Sequence, residues 1–142
     1  MKRYVVDASA VLELVSADAS IAPGIKLLAP TLLRSQTLSM LHEAMKRGEI
    51  AADVARERLA RIHRLPIRLL GDAVLRRRAW DIAGQLGWGQ TYDAEYLALT
   101  QLQADAFVTM DAKLAKTARA VVEVASIDAI APSKTRPRRK RS

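Results

Sequence analysis

Tyr4-Val5-Val6-Asp7-Ala8-Ser9-Ala10-Val11-Leu12-Glu13-Leu14-Val15 is the stretch that decides the fold class. Three β-branched or aromatic residues end abruptly at a carboxylate, and a segment of helical composition and apolar spacing follows. This reads as a buried strand running into a helix. The same alternation recurs downstream. Lys26-Leu27-Leu28 predicts a second strand, closed by Ala29-Pro30. From Thr31 to Arg47 apolar residues recur at Leu33, Thr37, Met40, Leu41 and Ala44, a helical period stopped by Gly48. Ala51 to Arg64 predicts a charged amphipathic helix, with Asp53, Glu57 and Arg61 spaced for i,i+4 pairing.

Ile67 to Leu70 predicts a third strand, and Gly71-Asp72 opens a helix running to Leu86. Thr91 is placed to cap a helix from Tyr92 to Gln103. Ala106 to Thr109, Ala112 to Arg119 and Val121 to Val124 then read as strand, helix and strand. Five strands alternating with helices through short connections predict an α/β domain with a mainly parallel sheet. The domain is expected over residues 1–131, with a disordered basic tail over 132–142.

Ligands of open parallel sheets bind beyond the carboxyl ends of the strands. Asp7 follows the first strand, Asp111 follows the fourth, and Asp93 begins the helix leading into the fourth. Taken singly, each acid is well explained as a helix cap or a helix N-terminal charge. Together they fall at one predicted edge. Two or three carboxylates suit a hard cation such as Mg²⁺, which keeps several of its waters.

The charge balance narrows the function classes. The chain carries 23 Lys+Arg against 15 Asp+Glu, a net charge of +8, with no Cys. Six of the basic residues lie between Lys134 and Arg141 with no acid among them, so the remaining chain holds 17 basic against 15 acidic residues. Most of the basicity is therefore terminal, in a Pro/Arg/Lys run that cannot bury apolar surface. Absence of Cys excludes a disulfide framework and a thiolate metal site. No apolar run approaches the ~18 residues of a membrane span, and Asp7 arrives too early for a secretory signal. A cytoplasmic protein is expected. His42 and His63 have no ligand partners nearby, there is no Gly-rich phosphate loop, and six aromatics are too few for a base-stacking sheet. Trp88, between two glycines, reads as a ring anchoring its loop to the core, with base stacking the alternative.

Val5-Val6-Asp7-Ala8-Ser9-Ala10 resembles the opening motif of PIN domains, in particular of VapC-type toxins. Thr91-Tyr92-Asp93-Ala94-Glu95-Tyr96-Leu97-Ala98-Leu99 resembles their second signature, and Phe107-Val108-Thr109-Met110-Asp111 their third. The order and intervals also match, across roughly Lys2 to Ile130. The resemblance implies a PIN-like three-layer domain with a five-stranded parallel sheet flanked by helices. It further implies an endoribonuclease using Mg²⁺ or Mn²⁺, with Asp7, Asp93 and Asp111 as catalytic and metal-site carboxylates. Ser9 and Thr109 would be supporting hydroxyls. The implied partners are an RNA substrate, a small VapB-type antitoxin and a second copy of the chain. Candidate dimer contacts are the apolar faces of the 31–47 and 51–64 helices.

One position departs from the pattern. The helix after the second strand normally gives a Glu to the site, and here Gln36 stands there. A neutral amide removes one negative charge, which weakens cation binding and leaves a poorer base. Glu43, seven residues on, lies about 10 Å further along the axis and cannot replace it. Glu13 is an outer candidate at most, and Glu95 is turned about 200° from Asp93 and reads as a surface residue. Two readings stand: an active three-Asp nuclease, and a catalytically weakened PIN protein that binds RNA or a partner. Arg34 and the tail residues Lys134, Arg136, Arg138 and Arg139 are the candidate RNA contacts. A signalling receiver, also a five-stranded α/β fold, is excluded: Asp7 is followed by Ala8, Leu70 by Gly71, and Val124 by Ala125.

Overall fold

The computed structural model describes residues 1–132, so the tail residues Lys134, Arg136, Arg138 and Arg139 lie outside the described residues. Five strands, β1 (Lys2–Val6), β2 (Ile25–Pro30), β3 (Ile67–Leu70), β4 (Ala106–Val108) and β5 (Val124–Ala125), form one sheet in the order β3-β2-β1-β4-β5. Every pairing is parallel. The helices are α1 (Ala8–Ser16), α2 (Leu32–Lys46), α3 (Ala52–Arg64), α4 (Ala73–Leu86), α5 (Tyr92–Gln103) and α6 (Ala112–Ala118).

Tyr4, Val5 and Val6 are consecutive and all buried. Neighbouring strand residues point to opposite faces, so both faces of the sheet are covered at its centre. The central strand can therefore carry an unbroken apolar run, which is why it was legible as a strand. Helix α5 packs along β1, β2 and β4 and is backed by α4. From Tyr96 to Thr100 every α5 residue is buried, as expected of a helix sandwiched between sheet and helix. Helices α1, α2 and α3 pack on one another, and α2 also meets β2. Arg61 ties α3 to α1: its guanidinium donates to the Val15 carbonyl at 2.8 Å and to Glu57 at 2.8 Å. Asp53 takes no part in that pairing; its carboxylate accepts from the Val54 amide.

Two expectations are corrected. The last strand is Val124–Ala125, not Val121–Val124. The amides of Val121 and Val122 both donate to the Ala118 carbonyl, so the turn closing α6 consumes the residues whose composition suggested a strand. Thr91 precedes α5, but its side chain makes no capping hydrogen bond. Asp93 and Glu95 in the first turn supply negative charge to that helix end instead.

The chain leaves β1 toward β2 on one side, while β4 leads to β5 on the other. The strand order thus reverses between β1 and β4, opening a crevice at their carboxyl ends. The Asp7 amide bridges the two ends by donating to the Val108 carbonyl at 3.3 Å.

Candidate functional site

Asp7 stands at the mouth of that crevice with only 7% of its surface exposed. Its Oδ1 accepts from the Ala10 amide at 2.9 Å, making it the N-cap of α1, and from Ser9 Oγ at 2.7 Å. Its Oδ2 accepts from Thr109 Oγ1 at 2.5 Å. Ser9 and Thr109 each spend their single proton on Asp7, so the 3.2 Å contact between the two hydroxyl oxygens has no proton left while Asp7 is ionised. The same hydroxyls accept from the loop after β4: Met110 N donates to Ser9 Oγ at 2.9 Å and Asp111 N to Thr109 Oγ1 at 3.1 Å. One carboxylate and two hydroxyls therefore stitch the end of β1 to the end of β4.

Asp111 Oδ1 accepts from Lys113 N and Leu114 N, both at 3.0 Å, and caps α6. Asp93 differs from both. It sits inside the first turn of α5, and its carboxylate accepts no hydrogen bond among the described residues.

The electrostatics tie the three together. Burial pushes the Asp7 carboxyl above its ordinary range, donors from Thr109, Ala10 and Ser9 pull it back, and the Asp111 charge adds a further push. Asp93 is raised by desolvation first, then by repulsion from Asp7 and from Asp111. Among the described residues, however, no three His, Cys, Asp or Glu side chains are grouped tightly enough to hold a metal ion by themselves.

Gln36 is brought to the same region. Its Oε1 accepts from the hydroxyl of Tyr96 at 2.6 Å, and it lines a cavity of about 470 Å³ together with Trp88, Gln90, Tyr92 and Asp93. Tyr96 packs its ring in the core, tilted against Phe107 with centroids 6.3 Å apart, while its hydroxyl reaches the site. Burial and the neighbouring charges of Asp7, Asp93 and Glu95 hold that phenol far above its ordinary range, so it remains a donor.

No family model and no curated protein matches the chain. Among solved structures it is similar to PAE2754 from Pyrobaculum aerophilum, with a TM-score of 0.70 and 21% identity over 90% of this chain and 91% of that one. It is also similar to VapC20 of Mycobacterium tuberculosis, a toxin that cleaves the sarcin-ricin loop, with a TM-score of 0.60 and 18% identity over 85% of this chain and 98% of that one. The fold is PIN-like, shared with both of these structures.

Within this PIN-like fold, the sequence candidates separate spatially. Asp7, Ser9, Thr109 and Asp111 form one hydrogen-bonded unit, and Asp93 joins it electrostatically. Gln36 lies beside Asp93. Arg34 does not join them: it lines a separate groove of about 400 Å³ with Leu38, Leu59 and Ile62. Two residues along a helix turn a side chain by about 200°, which sends Arg34 and Gln36 to different faces. Glu13 and Glu43 are exposed, and Glu43 accepts from Ser39 at 3.3 Å. Glu95 is half-buried, not fully on the surface, with burial raising its carboxyl and Arg76 opposing that shift. His42 and His63 are exposed. Tyr96 was missed as a site residue because an aromatic on a helix reads as core. Its i+3 spacing from Asp93, and the need of any buried phenol for a partner, were the signals that pointed to it.

Proposed function

We propose that this chain is a metal-dependent endoribonuclease of the VapC toxin type, acting on RNA in the cytoplasm and neutralised by a small VapB-type antitoxin. What supports the reading is that Asp7 and Asp111 follow the paired strands β1 and β4, and that Asp93, raised first by desolvation, also feels the charges of both. The likeness of fold to VapC20 supports it. Among the described residues no helix is long and apolar enough to cross a membrane.

The donor set suits Mg²⁺ or Mn²⁺, because such ions need few carboxylates and complete their shell with water, so a tight protein cage is not required. Asp7, Asp93 and Asp111 would hold the ion. When bound, it supplies a polarised water and positive charge to offset that developing on the phosphate. The residues themselves do the positioning. Ser9 and Thr109 fix the Asp7 carboxylate from both oxygens. The amides of α6 fix Asp111 Oδ1 and leave Oδ2 outside those bonds. Asp93 has no competing hydrogen bond to break. A second copy of the chain is proposed to cover the face of α2 that exposes Leu38, beside Leu59 and Ile62 of α3.

Purified protein is expected to cleave structured RNA with Mg²⁺ or Mn²⁺, and Asp7→Asn or Asp93→Asn to abolish cleavage. Cleavage that persists in EDTA, or in both variants, overturns the mechanism. The second reading, a weakened PIN protein that binds RNA or a partner, is favoured by one observation. The amide of Gln36 stands where a charge would help the cation, and its carbonyl is already taken by Tyr96.

A further inference from the structure

The cavity beside Asp93 has a chemistry of its own. Its volume of about 470 Å³ falls in the ~300–1,000 Å³ range of pockets that enclose small ligands. It is lined by two aromatic residues, Trp88 and Tyr92, two amides, Gln36 and Gln90, and one acid, Asp93. No Lys or Arg lines it. A phosphate there would face Asp93 without a counter-charge, and one carboxylate is too few to make the cavity itself a cation site. Aromatic faces combined with amide edges suit a neutral, flat, hydrogen-bonding group.

The walls are set by the fold. Trp88 follows Gly87, whose φ of +74° closes α4. The Trp88 amide donates to Ala83 O at 2.8 Å and the Gly87 amide to Gly84 O at 3.2 Å, a helix stop that needs a residue at ease in the left-handed region. The loop is thereby fixed with Trp88 half-buried against the core. Tyr92 remains 53% exposed, so its ring is accessible to a ligand.

The orientation of Gln36 is also decided. The Tyr96 hydroxyl has no other acceptor among the described residues. Turning the amide over would leave a buried O–H without a partner, at a real cost. The carbonyl therefore stays on Tyr96, and the NH₂ group is the part left for a ligand.

We propose that the Gln36–Trp88–Tyr92 cavity seats one unstacked base of the RNA strand beside the acid site, with the Gln36 NH₂ group reading a carbonyl on the base edge. This rests on the ribonuclease reading and deepens it by naming a base-recognition subsite. Stacking on an aromatic ring tolerates any base; the Gln36 donor favours uracil or guanine, which carry edge carbonyls, over adenine, which has none. Tyr96 is a positioning residue, holding Gln36 without touching the base.

The test reads binding without cleavage. Trp80, 72% exposed on α4, is replaced by Phe so that Trp88 is the only tryptophan. The full-length protein in EDTA is titrated with a short oligouridylate, an oligoadenylate and an abasic oligomer of equal length. Trp88 fluorescence is expected to change saturably with oligouridylate, which binds more tightly than oligoadenylate and much more tightly than the abasic strand. Tyr92→Ala, at an exposed position, is expected to weaken oligouridylate binding roughly 5- to 100-fold. Tyr96→Phe should keep the core ring yet reduce the uridylate preference. Equal affinity for the abasic strand, or an unchanged affinity in both Tyr92→Ala and Gln36→Ala, overturns the subsite. Oligoadenylate binding as well as oligouridylate overturns the role of Gln36. Cleavage in Mg²⁺ without base-dependent binding removes the subsite and leaves the nuclease; base-dependent binding without cleavage does the reverse.

Discussion

Thr109→Val tests the unit that joins the two central strands. Valine keeps the shape of threonine and removes only the hydroxyl, which donates to Asp7 Oδ2 at 2.5 Å and accepts from Asp111 N at 3.1 Å. A lost hydrogen bond to a charged acceptor costs about 1.5–3 kcal/mol. The methyl that replaces it is half-buried and returns about 0.5 kcal/mol. The exposed Asp111 amide recovers a water. The net loss at neutral pH is therefore about 1–2.5 kcal/mol, or roughly 3–8 °C in Tm for a chain of this size.

The pH dependence makes the prediction specific. Burial raises the Asp7 carboxyl above its ordinary 3.8, and Thr109 is the strongest of the groups pulling it back. Without Thr109 it rises further. A carboxyl raised in the folded state favours the protonated native form. Its stabilising contribution is present below the ordinary value of 3.8 and is lost as pH rises through the folded value. The gap between Thr109→Val and the parent should therefore be full near pH 7.5 and shrink as pH falls toward that ordinary value. Urea unfolding in EDTA across this range measures it, with divalent binding removed from the comparison. A gap independent of pH, or none at all, would refute the account of Asp7 as a buried carboxylate held by Thr109.

Two further outcomes follow from other contacts. Gln36→Glu restores a negative charge beside Asp93 while leaving an acceptor for the Tyr96 hydroxyl; Mn²⁺ should bind at least several-fold more tightly, read as the midpoint of its thermal stabilisation, and cleavage should rise. An unchanged midpoint would show that Gln36 does not face the cation. Arg61→Ala removes the bond to the Val15 carbonyl from a side chain only 25% exposed and should cost about 1–2 kcal/mol in urea unfolding, nearly all of it from that bond because the pair with exposed Glu57 is worth little. A loss below about 0.5 kcal/mol would sink the idea that Arg61 fastens α3 to α1.

The parts of the fold legible in the sequence were those where one physical requirement dominates. Tyr4 to Val6 must fill both sides of a covered sheet, so its pattern is unmistakable. Val121 to Val124 shows how composition alone misleads, since the closing turn of α6 claimed the amides of Val121 and Val122 before a strand could. The acids at strand ends were visible, but their convergence depends on strand order, which no local pattern encodes. Only the reversal between β1 and β4 makes the residues after β1 and β4 neighbours. Tyr96 stayed hidden because its ring and its hydroxyl serve different parts of the molecule. Arg34 misled in the opposite way, being close to Gln36 in the chain and on another face of the helix.

Capping and chemistry first stood as competing explanations of the acids; the structure shows capping for two of them, and the proposed metal role is compatible with it. Asp7 caps α1 and Asp111 caps α6, so each carboxylate is fixed by helix amides before any ligand arrives. That coupling decides which substitution is informative. Alanine at Asp7 removes cap and charge together, and the cap alone is worth about 0.5–2 kcal/mol, so lost activity could be lost folding. Asparagine caps almost as well as aspartate. Its carbonyl can keep the bonds from Ala10 and Ser9, its NH₂ can donate to Thr109, and the Thr109 proton can turn to Ser9, 3.2 Å away. Every group in the network stays satisfied while the buried charge is gone. Asp7→Asn is thus the change in which stability and activity should part company, with the fold intact and the proposed cation site short of one carboxylate.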